Sequence, residues 1–238
     1  MAAPTEQEWI DDTLQKYGPI TDASYPSELE LTKWQERLPD RLLQFWREYG
    51  WGAFSEGQFW TCNPEQLHAV IEEVFTGDPE FHPSDLIPIG YNALGMIVVY
   101  LGDGRTMTVD LPFGTVIWRD QSINSATGKP NSEFMVIFRK IRSGAHRLDW
   151  TDEDGTQIFP WALKNLGPLA RGEIYGFVPA YSMAQRYPVE NLQKLPIVEH
   201  LVFLASLQKP TLYDYEKPET GEGGFGTLVP KRLVGPQE

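Results

Sequence analysis

Hydrophobic side chains recur at helical spacing in the first 75 residues and crowd into short β-rich runs between 96 and 119. The stretch Glu6–Tyr17 reads as a helix ended by Gly18-Pro19. Over Asp40–Tyr49, Leu42, Phe45, Trp46 and Tyr49 fall at i, i+3, i+4 and i+7, one apolar face stopped by Gly50. Asn63-Pro64 predicts a third helix start, with Asn as N-cap and Pro in the first turn. Leu67, Val70, Ile71 and Val74 form its buried stripe, and Glu65, Glu72 and Glu73 occupy its other face. Met96–Leu101 and Thr106–Asp110 predict two strands of a hairpin turned at Gly102-Asp103-Gly104-Arg105, and 115–119 predicts a third strand.

Beyond this block the signals weaken. Residues 121–132 are polar and turn-rich and read as a joint between two units. A helix is expected after Ser132 with Phe134, Ile137, Phe138 and Ile141 on one face, and another over 156–166. A strand is expected over 173–178, then helices over 189–195 and 198–207 broken at Pro196. The sum is an α+β fold class, with an antiparallel sheet flanked by helices in the N-terminal part and a mostly helical C-terminal part. The expected units are residues 1–125, residues 126–208, and an extended Pro/Gly-rich tail over 209–238.

Composition changes this picture chiefly through charge. The 238 residues carry 33 Asp and Glu against 20 Lys and Arg, a formal net charge of −13. From Glu48 through Gly104 there is no Lys or Arg, whereas residues 121–150 are mildly basic. Phosphate-backbone binding needs clustered cations, so direct nucleic-acid binding is not expected. An acidic face suits solubility or a basic protein partner. The single Cys62 rules out an intramolecular disulfide and Cys-rich zinc sites. No secretory signal or apolar run of membrane-spanning length is present, so the expected compartment is the cytoplasm, without a membrane association.

Catalytic motifs are weak. His68, His82, His146 and His200 show no metal-site spacing, so no metal and no cofactor are expected. Cys62 with His68 is a conceivable nucleophile pair, though a buried structural thiol is the simpler reading. Asp152-Glu153-Asp154-Gly155 would place Trp150 and Trp161 where a calcium loop needs carboxylates, so it reads as an acidic turn. The aromatics Trp46, Tyr49, Trp51, Phe54, Phe59 and Trp60 lack interleaved cations and read as core. No catalytic residue is assigned.

Two segments carry a resemblance. Leu38-Pro-Asp-Arg-Leu-Leu-Gln-Phe-Trp-Arg-Glu-Tyr-Gly-Trp-Gly, followed by Gly57-Gln-Phe-Trp-Thr-Cys-Asn-Pro-Glu, resembles the GAD-like domain. Leu166-Gly-Pro-Leu-Ala-Arg-Gly-Glu-Ile-Tyr-Gly-Phe-Val-Pro-Ala resembles the domain of unknown function that follows it in the same proteins. The resemblance implies an immunity protein that neutralises an antibacterial toxin, often a type VI secretion effector and commonly a nuclease. The start is also similar, less specifically, to the SMI1/KNR4-type immunity fold, which leaves an interaction scaffold as an alternative; an uncharacterised hydrolase is a second. One departure is Tyr181-Ser-Met-Ala184, where the family often continues with an aliphatic residue and a Gly pair. A nuclease presents Lys and Arg around its cleft, so the expected partner-facing residues are Glu72, Glu73, Asp78, Glu80 and Asp85.

Overall fold

The computed structural model of the protein describes residues 6–101, 105–118, 149–183, 186–216 and 227–237. Its helices are α1 (Glu6–Tyr17), α2 (Glu28–Trp34), α3 (Asp40–Tyr49), α4 (His68–Phe75), α5 (Ile158–Leu166) and α6 (Ile197–Leu207). Strands β1 (Thr21–Ser24), β2 (Trp51–Phe54), β3 (Phe59–Thr61), β4 (Leu86–Asn92), β5 (Met96–Leu101), β6 (Thr106–Asp110) and β7 (Thr115–Trp118) form an antiparallel run in chain order. Beyond β7 the sheet continues with β10 (Thr211–Glu216), parallel to β7, and β11 (Thr227–Leu233) at the edge. A separate hairpin is made by β8 (Glu173–Phe177) and β9 (Leu192–Pro196).

The period-two side-chain rule divides the sheet into two cores. On β5, Met96, Val98 and Tyr100 join a core capped by α1, α2 and α3, whereas Ile97, Val99 and Leu101 join a core capped by α4, α5, α6 and the β8–β9 hairpin. A bulge on β4 keeps this division in register. Pro88 pairs with Val99 and Gly90 with Val98, leaving Ile89 as the extra residue. Ile87 and Ile89 therefore both enter the α1–α3 core, and Tyr91 enters the other.

The Tyr-Gly-Trp-Gly sequence after α3 has a steric explanation. β1 crosses so closely that a Cβ on Gly50 would lie 2.9 Å from the Ser24 carbonyl oxygen, and one on Gly52 would lie 2.4 Å from Ile20 Cγ2. Trp51 between them is buried edge-on to Trp46, at 5.7 Å between ring centres. The expected early helices, the 96–101 and 106–110 strands and the strand after Gly114 are all present.

The C-terminal part is not mostly helical. Among the described residues it holds two α-helices and four strands. Val189, Leu192 and Leu195 mimic a helical spacing, but the segment is confined between Pro188 and Pro196, too short to nucleate a helix. Instead β8 offers its backbone, and Leu192 through Pro196 pair with it. The segment after 209, read from sequence as an extended tail, supplies β10 and β11. Pro230, Lys231 and Arg232 on β11 blunt the exposed edge of the sheet. The helix expected after Ser132, the polar joint at 121–132 and the boundary at 125/126 lie outside the described residues.

Candidate functional site

The five acidic residues expected to face a partner separate once the chain is folded. Glu72 and Glu73 lie exposed on α4, whose other face packs Val70, Ile71, Val74 and Phe75 into the core. Glu72 contacts the half-exposed His68 at 3.3 Å, one helical turn away. Glu80 and Asp85 are exposed in the segment between α4 and β4. Nearby, Lys33 at the end of α2 pairs with Glu65 at 2.8 Å, and Arg37 donates to the Ser84 carbonyl oxygen.

Asp78 behaves differently. Its side chain is 0% exposed and is gripped by Arg232 of β11, with Nη1 on Oδ2 at 2.6 Å and Nη2 on Oδ1 at 2.9 Å. The backbone N–H groups of Glu80, Phe81 and Gly235 also donate to it. Burial alone would raise the carboxyl pKa, but Arg232 and these N–H groups outweigh it and hold the carboxyl below its ordinary value. Arg232 also reaches Glu80 at 3.1 Å and lies over the Phe81 ring. Asp78 is thus a clamp between the loop after α4 and the last strand, with its side chain buried.

A second site lies at the opposite end of the sheet. Antiparallel strands alternate in direction, so the turn from β6 to β7 stands beside the β4–β5 turn and away from Asp85. There Asp110, Phe113, Thr115, Asp149, Trp150, Thr151 and Gln157 line a cavity of about 530 Å³. Asp149 is 6% exposed, and its Oδ1 accepts from Trp150 N at 2.9 Å and from Phe159 N at 2.8 Å, capping α5. Burial pushes its pKa up, partly offset by those two N–H donors. Its Oδ2 has no hydrogen-bond partner among the described residues.

Aromatic rings flank this cavity. Phe113 meets Trp150 edge-on with 3.8 Å between centres and Tyr181 at 4.5 Å. Tyr181 stacks on Tyr187 at 3.6 Å, and Phe177 packs against both tyrosines. The departure at Tyr181-Ser-Met therefore packs against Phe113, one of the residues that line the cavity, and Met183 is exposed. Sequence reasoning missed this site because its residues come from separate loops with no local spacing. The usable signal was a set of aromatics, Phe113, Trp150 and Tyr181, placed in turn-rich segments.

The nucleophile reading loses its thiolate. Cys62 is 2% exposed, and burial pushes its thiol pKa far up, so it is protonated at neutral pH. His68 is occupied with Glu72 on the surface. Asp152-Glu153-Asp154-Gly155 is a tight turn in which Asp152 Oδ1 accepts from Asp154 N and Thr156 N. Among the described residues no group of three or more His, Cys, Asp or Glu could hold a metal ion, and no helix is long and apolar enough to cross a membrane.

Comparison with known proteins matches both halves of this architecture. Residues 8–113 match the GAD-like domain, and residues 138–208 match the C-terminal domain of the T6SS immunity protein Tdi1. The crystal structure of Atu4351 from Agrobacterium tumefaciens is similar at a TM-score of 0.82 and 26% identity, covering 96% of this chain and 99% of that one. Curated proteins give no match. The chain carries, in order, a GAD-like domain and a domain of the type VI secretion immunity protein Tdi1 C-terminal family.

Proposed function

We propose that the protein is an immunity protein that binds and neutralises a cognate type VI secretion toxin, a nuclease with a basic cleft, in the cytoplasm of the producing cell. The observation that carries the immunity role is the match of residues 138–208 to the Tdi1 C-terminal domain. The nuclease reading draws its support from charge. The chain has a 57-residue stretch without a Lys or Arg, and its surface keeps Glu72, Glu73, Glu80 and Asp85 exposed. Such a surface repels nucleic acid and attracts the protein that binds it. It works as a binder, without catalysis.

Co-expression with the toxin encoded beside it should restore growth and yield a complex that survives gel filtration. The charge argument is checked separately by converting Glu72, Glu73 and Asp85 together to Lys. None of the three carries a core contact, so the variant should fold. Association with the toxin should slow at least tenfold at low salt and lose most of its salt dependence. Unchanged association would leave the acidic face as solvated surface only.

A further inference from the structure

The cavity at the β6–β7 end lies apart from the acidic residues assigned to the partner. We propose that it is a receptor for a basic side chain, a lysine or arginine, carried on a loop of the partner protein; this rests on the reading of the chain as a toxin binder. The charged residues lining it, Asp110 and Asp149, are both acidic. Asp149 supplies the specific observation. Its carboxylate is more than nine-tenths buried, its Oδ1 is engaged by two backbone N–H groups, and its Oδ2 faces no donor among the described residues. Buried polar atoms are almost always satisfied, so an enclosed carboxylate oxygen without a donor, on a residue that lines a cavity, marks a place for an incoming donor.

A cation fits this site better than a neutral donor. It brings charge to a carboxylate that burial otherwise disfavours in its ionised form. The lining agrees: Phe113 and Trp150 supply aromatic rings, Tyr181 packs against Phe113, and cations bind ring faces. Half-exposed Tyr and Trp are also the side chains that most often anchor protein interfaces. The cavity, at about 530 Å³, admits the tip of a loop together with its basic side chain. A nuclease that uses Lys and Arg to hold phosphate has such loops available.

The test is a double-mutant cycle between this cavity and the toxin. Asp149→Asn keeps the shape of the side chain and the Oδ1 acceptor that caps α5, and Asp110→Asn serves as the second variant. Each should weaken toxin binding about tenfold or more, mainly through faster dissociation. Each basic residue on the toxin surface is then changed to Met, and one of them should couple to Asp149→Asn by at least about tenfold. Thermal unfolding of the two variants should stay within about 3 °C of wild type, the shift expected of a change near 1 kcal/mol. Normal binding by Asp149→Asn, or coupling to no basic toxin residue, overturns the receptor while leaving the immunity reading intact. A large loss of stability in Asp149→Asn also overturns it, by assigning the carboxylate an internal role. Failure of the wild-type protein to bind the toxin sinks the immunity reading and this receptor together.

Discussion

Replacing Asp78 by Ala should unfold the protein at a much lower temperature, although Asp78 belongs to the most acidic part of a chain of charge −13. Removing a carboxylate from such a chain reduces net repulsion, so a purely long-range view predicts a small gain. The local geometry predicts the opposite. The substitution leaves the Arg232 guanidinium, 21% exposed, with the exposed Glu80 as its remaining carboxylate, and strips the acceptor from the N–H groups of Glu80, Phe81 and Gly235. Losing one partner of a buried pair costs about 3–5 kcal/mol. The partial exposure of Arg232 places the pair at the lower end, and the orphaned N–H groups add to it. A total near 4 kcal/mol corresponds to a fall of roughly 10 °C in Tm for a chain of this size.

The assay is thermal unfolding by circular dichroism, with Arg232→Met as the companion variant. Arg232→Met should cost less, since Asp78 keeps its three backbone donors. The pH dependence has a definite sign. The folded carboxyl titrates below its ordinary 3.8, so folding favours the ionised form. Its contribution is complete above pH 3.8 and is lost as pH falls through the lower folded value, so the Tm gap between wild type and Asp78→Ala should close in acid. A gap below 3 °C at neutral pH would refute the clamp. Toxin affinity, measured where the variant is folded, should be unchanged, because the Asp78 side chain is 0% exposed.

Other outcomes follow from the packing around single residues. Gly52→Ala should destabilise by about 2 kcal/mol or more in urea unfolding, because the new Cβ would overlap Ile20 and the Thr21 carbonyl rather than a flexible side-chain tip. Cys62 should react with a thiol reagent only as fast as the protein unfolds, and labelling at the rate of a free thiol in native buffer would contradict its burial. Trp46→Ala should cost about 3–5 kcal/mol, since the ring is 0% exposed at the centre of the α1–α3 core.

Local chemistry was legible wherever one segment decides its own structure. Leu42, Phe45, Trp46 and Tyr49 define a face that needs no other part of the chain, and α3 begins and ends as that spacing and Gly50 predict. The β5 run is similarly self-evident. Asp78 and Glu80 read alike as acidic positions and both meet Arg232, and what separates the clamp from the surface is the burial of Asp78 against the last strand and Gly235, 157 residues away. The segment around Leu192 misled for a related reason. Its own spacing suggests a helix, and the decisive influence is a partner strand, β8.

The two proposed contact sites constrain the toxin interface through the sheet that separates them. β4 runs from Leu86, next to Asp85, to Asn92, whose side chain shapes the turn into β5 beside the cavity end. Seven residues of strand span about 20 Å. A partner touching only one end buries a small patch, whereas a standard interface, about 800 Å² per partner, is wide enough to reach from one end to the other. The exposed acids and the aromatic cavity can then serve a single partner with different effects. Under the proposed assignment, exposed carboxylates such as Glu73 and Asp85 would govern the speed of encounter and its response to salt. Under the same proposal, the buried Asp149 carboxylate beside Trp150 would govern how long the complex lasts. Combining the Lys triple variant with Asp149→Asn should therefore lower the association rate and raise the dissociation rate independently, and the two free-energy changes should add.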